Sequence, residues 1–199
     1  MACARTALRV LSPTTKRKAK TFAPPNVQPT EFTDARLITP DVFADERGFF
    51  KETFSLQRYR DIGITEAFVQ DNVSLSMNNV LRGLHGDRRM AKIVQVLQGE
   101  AFDVMVDLRE GSATYGKWQG FELTQSNHAQ LYIPAGFLHG FLAKADNTIL
   151  AYKQSALYDP SSEFSIRWDD PTINIVWPLS GEPRLSAKDA KAPLLSEIG

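Results

Sequence analysis

From Phe68 to Ser76 the chain alternates between apolar and polar side chains, the pattern of a strand with one buried face. Comparable short runs follow at Val80–His85, 92–97, 101–108, 115–123, 130–134, 137–144 and 148–158. Turn signals separate them: Gln98-Gly99-Glu100, Glu110-Gly111-Ser112, Ser126-Asn127-His128, Ala135-Gly136 and Asp146-Asn147. Phe102, Val104 and Val106 share one face of their run. Upstream, 35–39 and 49–54 read as strands on either side of the charged turn Asp45-Glu46-Arg47-Gly48, where glycine allows a positive φ. Ser55 to Ile62 is the best helix in the body, with Ser55 to cap it and Gly63 to end it. Ser186 to Ala190 resembles a second helix start, capped by Ser186. Short strands at ~8–12-residue spacing predict an all-β sandwich or barrel.

Residues 1–30 break the pattern. They hold Arg5, Arg9, Lys16, Arg17, Lys18 and Lys20, no acid, and several prolines. They read as a flexible basic extension, with 31–199 as the folded domain. Organellar targeting by that extension is the lesser alternative to a cytoplasmic protein. The whole chain balances 23 basic against 23 acidic residues, so nothing draws it toward nucleic acid or a membrane surface. No apolar run approaches the ~20 residues needed to span a bilayer. Cys3 is the only cysteine, which excludes an intramolecular disulfide, and it lies in the extension, where it is a poor nucleophile.

Candidate chemistry centres on Val80-Leu81-Arg82-Gly83-Leu84-His85, followed by the polar loop Gly86-Asp87-Arg88-Arg89 and then Lys92. Histidine suits proton transfer near neutral pH, which makes His85 a candidate general base. Lys92 supplies a cation on the neighbouring strand. Of the other two histidines, His128 sits in a loop and reads as surface, whereas His139 follows a Pro-x-Gly turn in Pro134-Ala135-Gly136-Phe137-Leu138-His139-Gly140-Phe141. That stretch matches the second half-motif of the cupin superfamily. The first half-motif normally carries two closely spaced histidines and a glutamate for metal; here only His85 stands there. His85 and His139 with Asp87 or Glu100 would be an improvised ligand set, so the barrel is expected to be metal-free.

Seven blocks in order resemble dTDP-4-dehydrorhamnose 3,5-epimerases. They begin at Asp45, Phe68, Val80, Gly99, Ile133, Ile166 and Leu185, and span about residues 35–195. The resemblance implies a cupin double-stranded β-helix, or jelly roll, with short peripheral helices. It also implies a homodimer with exchanged strands, no cofactor, and a nucleotide-diphosphate sugar with a 4-keto group as substrate. By this resemblance His85 is the base, Asp189 orients it, Tyr152 returns a proton on the opposite face, and Lys92 stands near the C4 oxygen. Arg47, Phe50, Gln70, Asn72, Arg82, His139 and Glu163 match positions that line the pocket.

The chemistry is coherent. A proton beside a ketone is weakly acidic, so the enolate needs donors aimed at its oxygen. Inversion needs a base and an acid on opposite faces. Without the resemblance, Tyr152 reads as a half-buried strand tyrosine, Asp189 as a first-turn helix acid, and Arg47 and Arg82 as surface charges. The loop after His85 departs from the family, where an aromatic, a glutamine and a longer glycine-containing loop are usual; Val73 stands where a histidine is common. Three alternatives therefore stay open: an epimerase acting at one carbon or on another nucleotide sugar, a non-catalytic sugar-nucleotide-binding cupin, and a metal-dependent cupin oxygenase.

Overall fold

The computed structural model describes residues 22–198. Six strands form one sheet, in the order β1 (Asn26–Gln28), β2 (Arg36–Thr39), β10 (Gln130–Ile133), β7 (Lys92–Gln98), β12 (Thr148–Gln154), β5 (Gln70–Ser76). Five form the other: β13 (Glu163–Ser165), β6 (Leu81–Asp87), β11 (Phe137–Ala143), β8 (Glu100–Asp107), β9 (Trp118–Thr124). A separate ribbon pairs β3 (Val42–Asp45) with β4 (Gly48–Lys51). Every ladder is antiparallel. From β5 to β8 successive strands switch sheets, as they do again from β9 to β13. This is the expected jelly roll. It sets β6 and β7, neighbours in sequence, in opposite walls.

The alternating pattern explains the burial. Val94, Val96, Leu131 and Leu150 of the larger sheet meet Met105, Leu123, Phe137 and Phe141 of the smaller one in the central core. The outer face of the smaller sheet carries Leu84, Val104, Val106 and Leu138, covered by Ile166, Ile173 and Trp177 from the C-terminal segment. The outer face of the larger sheet packs Ile38, Ile93 and Tyr132 against Tyr59 of helix α1 (Leu56–Asp61). Each such fully buried side chain contributes about 1.5–3 kcal/mol. Strand β5 reverses the expected pattern: its polar positions are the less exposed ones, with Ser76 buried, whereas its apolar Val73 and Leu75 are exposed.

Several local expectations need revision. Ser55 takes the N-cap position of α1, but its side chain makes no cap hydrogen bond. The segment after Ser186 forms only a 3-10 turn (Asp189–Lys191) with Lys188 at its N-cap, although Ser186 Oγ does accept the Asp189 N–H at 3.0 Å. Gly48 has φ +120°, as its turn required. Strand β1 lies inside the stretch expected to be a flexible extension, and it pairs Val27 with Ile38. The extension's first 21 residues, Cys3 among them, lie outside the described residues. β6 runs past His85, because Gly86 pairs with Leu138 and Asp87 with Glu163. No helix of the described residues is long and apolar enough to cross a membrane.

One contact sets the geometry of the smaller sheet. A Cβ on Gly140 would lie 2.9 Å from the Arg82 carbonyl oxygen and 2.9 Å from Leu84 Cδ2. One on Gly83, at φ +124°, would lie 2.6 Å from Gly140 Cα. Two glycines thus let β6 and β11 approach closely, beside a register shift between His139 and Phe141. Gly140→Ala is expected to cost about 1–3 kcal/mol of stability, measurable as a lower midpoint in urea unfolding.

Candidate active site

A cavity of about 270 Å³ opens between the two sheets. His85 from β6 and His139 from β11 enter from the smaller sheet; their positions are paired in the ladder. Lys92 from β7 and Tyr152 from β12 enter from the larger sheet. Arg82, Glu163 and Asp189 complete the predicted residues that line it.

His85 Nε2 lies 2.6 Å from Asp189 Oδ1. Asp189 is almost fully buried, which alone would raise its carboxyl. The hydrogen bond and charge of His85, with donors at Ser186 and Gly83, outweigh burial and hold it below the usual range. An ionised carboxylate accepts, so the Nε2–H donates, and Nδ1 keeps its lone pair for an incoming proton. On the far side, Tyr152 is half-buried, and burial raises its phenol despite the opposing charge of Arg82. It stays protonated at neutral pH and can give a proton away. Burial lowers Lys92, against the opposing pull of Glu163, Asp103 and Asp87. As amine or ammonium, it has N–H to direct at a developing oxyanion.

Four predicted residues, Gln70, Asn72, Arg47 and Phe50, do not line this cavity. Gln70 Nε2 donates to Asn72 Oδ1 at 3.0 Å, and Asn72 Nδ2 to Gln154 Oε1 at 3.0 Å. Only Gln154 of the three lines the cavity, so this chain of amides reaches it from the edge strand β5. Arg82 is held in place by Ser76 Oγ, 3.1 Å from its Nε. Arg47 and Phe50 are not brought to the site within one chain. They belong to the β3–β4 ribbon, where Arg47 grips Asp45 through two hydrogen bonds and lines a different, small cavity with Phe43 and Phe49. His128, read as surface, touches this ribbon as well: its ring lies 4.8 Å from that of Phe49.

The sequence reading missed three residues. Asp103 is fully buried, with its two oxygens 2.9 and 3.1 Å from His139 Nε2. Its signal was present: Asp103 falls between Ala101 and Met105 on the inward face of β8, where an unpartnered acid would be costly. Lys188 lines the cavity and pairs directly with Glu163. Tyr158 lines it too, with its hydroxyl 3.4 Å from Glu163 Oε2.

The profile of one family, dTDP-4-dehydrorhamnose 3,5-epimerase, matches residues 29–197. The chain belongs to this family. A member from Salmonella typhimurium is 48% identical over 172 residues, covering 84% of this chain and 94% of the relative. The structure of the dTDP-6-deoxy-D-glucose-3,5-epimerase of Legionella pneumophila, solved in complex with dTDP-4-keto-L-rhamnose, superposes with a TM-score of 0.85 at 47% identity, covering 88% of this chain and 95% of that one. A relative from Streptomyces niveus, 40% identical over 80% of this chain and 79% of its own length, is a dTDP-4-dehydrorhamnose 3-epimerase.

Membership makes the chain an isomerase acting on carbohydrates, as the resemblance implied. The residues after His85 are closely packed. Gly86 leaves room for the Phe164 ring, which a Cβ there would meet at 2.5 Å. Asp87, 5% exposed, is clamped by Arg89 through Nε at 3.2 Å, Nη2 at 2.9 Å and the backbone N–H at 2.8 Å. The short loop is thus tied down at its own base. Asp189→Asn should keep the folded spectrum and lower turnover about a hundred- to ten-thousand-fold, because the amide no longer fixes the imidazole tautomer. Steady-state kinetics beside circular dichroism checks this.

Proposed function

We propose that the chain inverts C3 and C5 of dTDP-4-dehydro-6-deoxy-D-glucose to give dTDP-4-dehydro-L-rhamnose. The observation that carries the reading is the 2.6 Å His85–Asp189 bond on one wall of a cavity whose opposite wall presents Tyr152. His85 removes the proton beside the C4 ketone, and the electrons move onto the C4 oxygen. Lys92 donates to that enolate oxygen. Tyr152 then delivers a proton to the carbon from the other face, so the centre is inverted. The second carbon follows by the same route from the other side of the ketone. These steps use the side chains of this chain alone.

The diphosphate calls for arginines, which bind its oxygens in a forked geometry. Arg82 supplies one from within the chain. We place Arg47 and Phe50 in the pocket of a second copy, reached by an exchanged β3–β4 ribbon. The exposure of Phe49 and Phe50 supports this, at 57% and 56%. So does edge strand β5, whose outer face presents Val73 and Leu75, 68% and 54% exposed. Apolar groups on an open strand edge are usually covered.

A second reading, inversion at one carbon only, is favoured by the 3-epimerase relative. In deuterated water, with dTDP-4-dehydro-6-deoxy-D-glucose followed by NMR, we expect deuterium at both C3 and C5, at a rate unchanged by EDTA. Deuterium at C3 alone would establish the second reading, and none at all would overturn both. Tyr152→Phe should slow net epimerisation about a hundredfold and slow exchange at the first carbon less; equal losses would remove Tyr152 from the acid role. Sedimentation should give twice the 22.2 kDa chain mass. Arg47→Ala should raise KM about ten- to a hundredfold at that same mass; a monomer, or an unchanged KM, would sink the exchanged-ribbon arrangement.

A further inference from the structure

His85 has a carboxylate near each ring nitrogen. Asp189 Oδ1 lies 2.6 Å from Nε2, and Glu163 Oε1 lies 3.9 Å from Nδ1. With Asp189 accepting the Nε2–H, Nδ1 is the nitrogen left to take the substrate's proton. An uncompensated carboxylate beside it would favour the imidazolium. The base would then be occupied before the substrate arrived.

Glu163 is compensated, however. Its Oε2 pairs directly with Lys188 and lies 3.4 Å from the Tyr158 hydroxyl. Lys188 immediately precedes Asp189, so the residues that treat the two sides of His85 arrive together. Ser186 Oγ fixes that turn through the Asp189 N–H. The other charged and titratable groups around His85 come from every neighbouring element. Arg82 and Asp87 share its strand, and Asp87 is already clamped by Arg89. Lys92 comes from β7 and Tyr152 from β12, and β11 brings His139, which is paired with Asp103. Among the described residues, Lys188 is the one lysine or arginine in ion-pair contact with Glu163.

We propose that Lys188 is a positioning residue for the proton transfer: paired with Glu163, it neutralises the carboxylate beside Nδ1 of His85 and keeps that nitrogen open. It makes and breaks no bond in the reaction. The inference rests on His85 being the base of the proposed epimerisation.

The test is the pH dependence of kcat/KM for deuterium incorporation in the full chain. Removing the cation leaves Glu163 bare, so His85 holds its proton to higher pH. The acidic limb for Lys188→Met should therefore move upward by roughly half a unit to one unit, the size expected of a partly exposed charge. Lys188→Arg should restore the limb, and the pair Lys188→Met with Glu163→Gln should bring it back toward wild type. A raised KM with an unmoved limb would make Lys188 a diphosphate anchor only and overturn the proposal. A pH-independent loss that arginine does not rescue would make it a structural prop and overturn it equally. Wild-type protein with no exchange at all would instead remove the epimerase reading, and this inference with it.

Discussion

Strands β6 and β11 meet backbone to backbone where Gly83 faces Gly140, and the site depends on that approach. Neither position has space for a Cβ. With the two strands this close, His85 and His139 occupy paired positions and enter one cavity. Each is then held from behind by an acid from elsewhere, Asp189 from the C-terminal turn and Asp103 from β8. The apolar layers on both faces of the smaller sheet keep those acids away from water, where their bonds are worth more. Packing, backbone approach and proton chemistry are here one problem.

The jelly-roll winding solves the other half of it. Because consecutive strands cross between sheets, the chain places His85 on one wall and Tyr152 on the other. Lys92 follows His85 closely in sequence yet faces it across the cavity. A short loop joins the two strands. Its Asp87–Arg89 clamp sits at the end of β6, next to the residues that do the chemistry.

Much of this was legible in the alternation of side chains. Most of the longer strands announced themselves because one apolar face is buried, which imposes a period of two; β5 shows the same period, but there the apolar Val73 and Leu75 are exposed and the polar positions are the more buried. β1, β3 and β13, three or four residues each, were not read as strands. Within the site, His85 and Lys92 were visible as the chemistry-bearing residues of two strands consecutive in sequence, which the fold sets in opposite walls. Tyr152 and Asp189 became candidates only through family resemblance, since a strand tyrosine and a first-turn acid are ordinary by themselves. Asp103 broke its strand's inward pattern and was overlooked. Lys188 carried no local signal at all, because its meaning lies in a glutamate that the fold brings to it. Arg47 and Phe50 match the family pattern, but a single chain does not bring them to its own cavity.

The His85–Asp189 bond joins residues 104 positions apart. Such a contact is among the most demanding to close, because most of the intervening chain must already be ordered. The covering segment that carries Asp189 also buries the outer face of the smaller sheet through Ile166, Ile173 and Trp177. Reactivity and completion of the fold are therefore reported by the same event. A partly folded or nicked molecule would hold its histidine unoriented and inert.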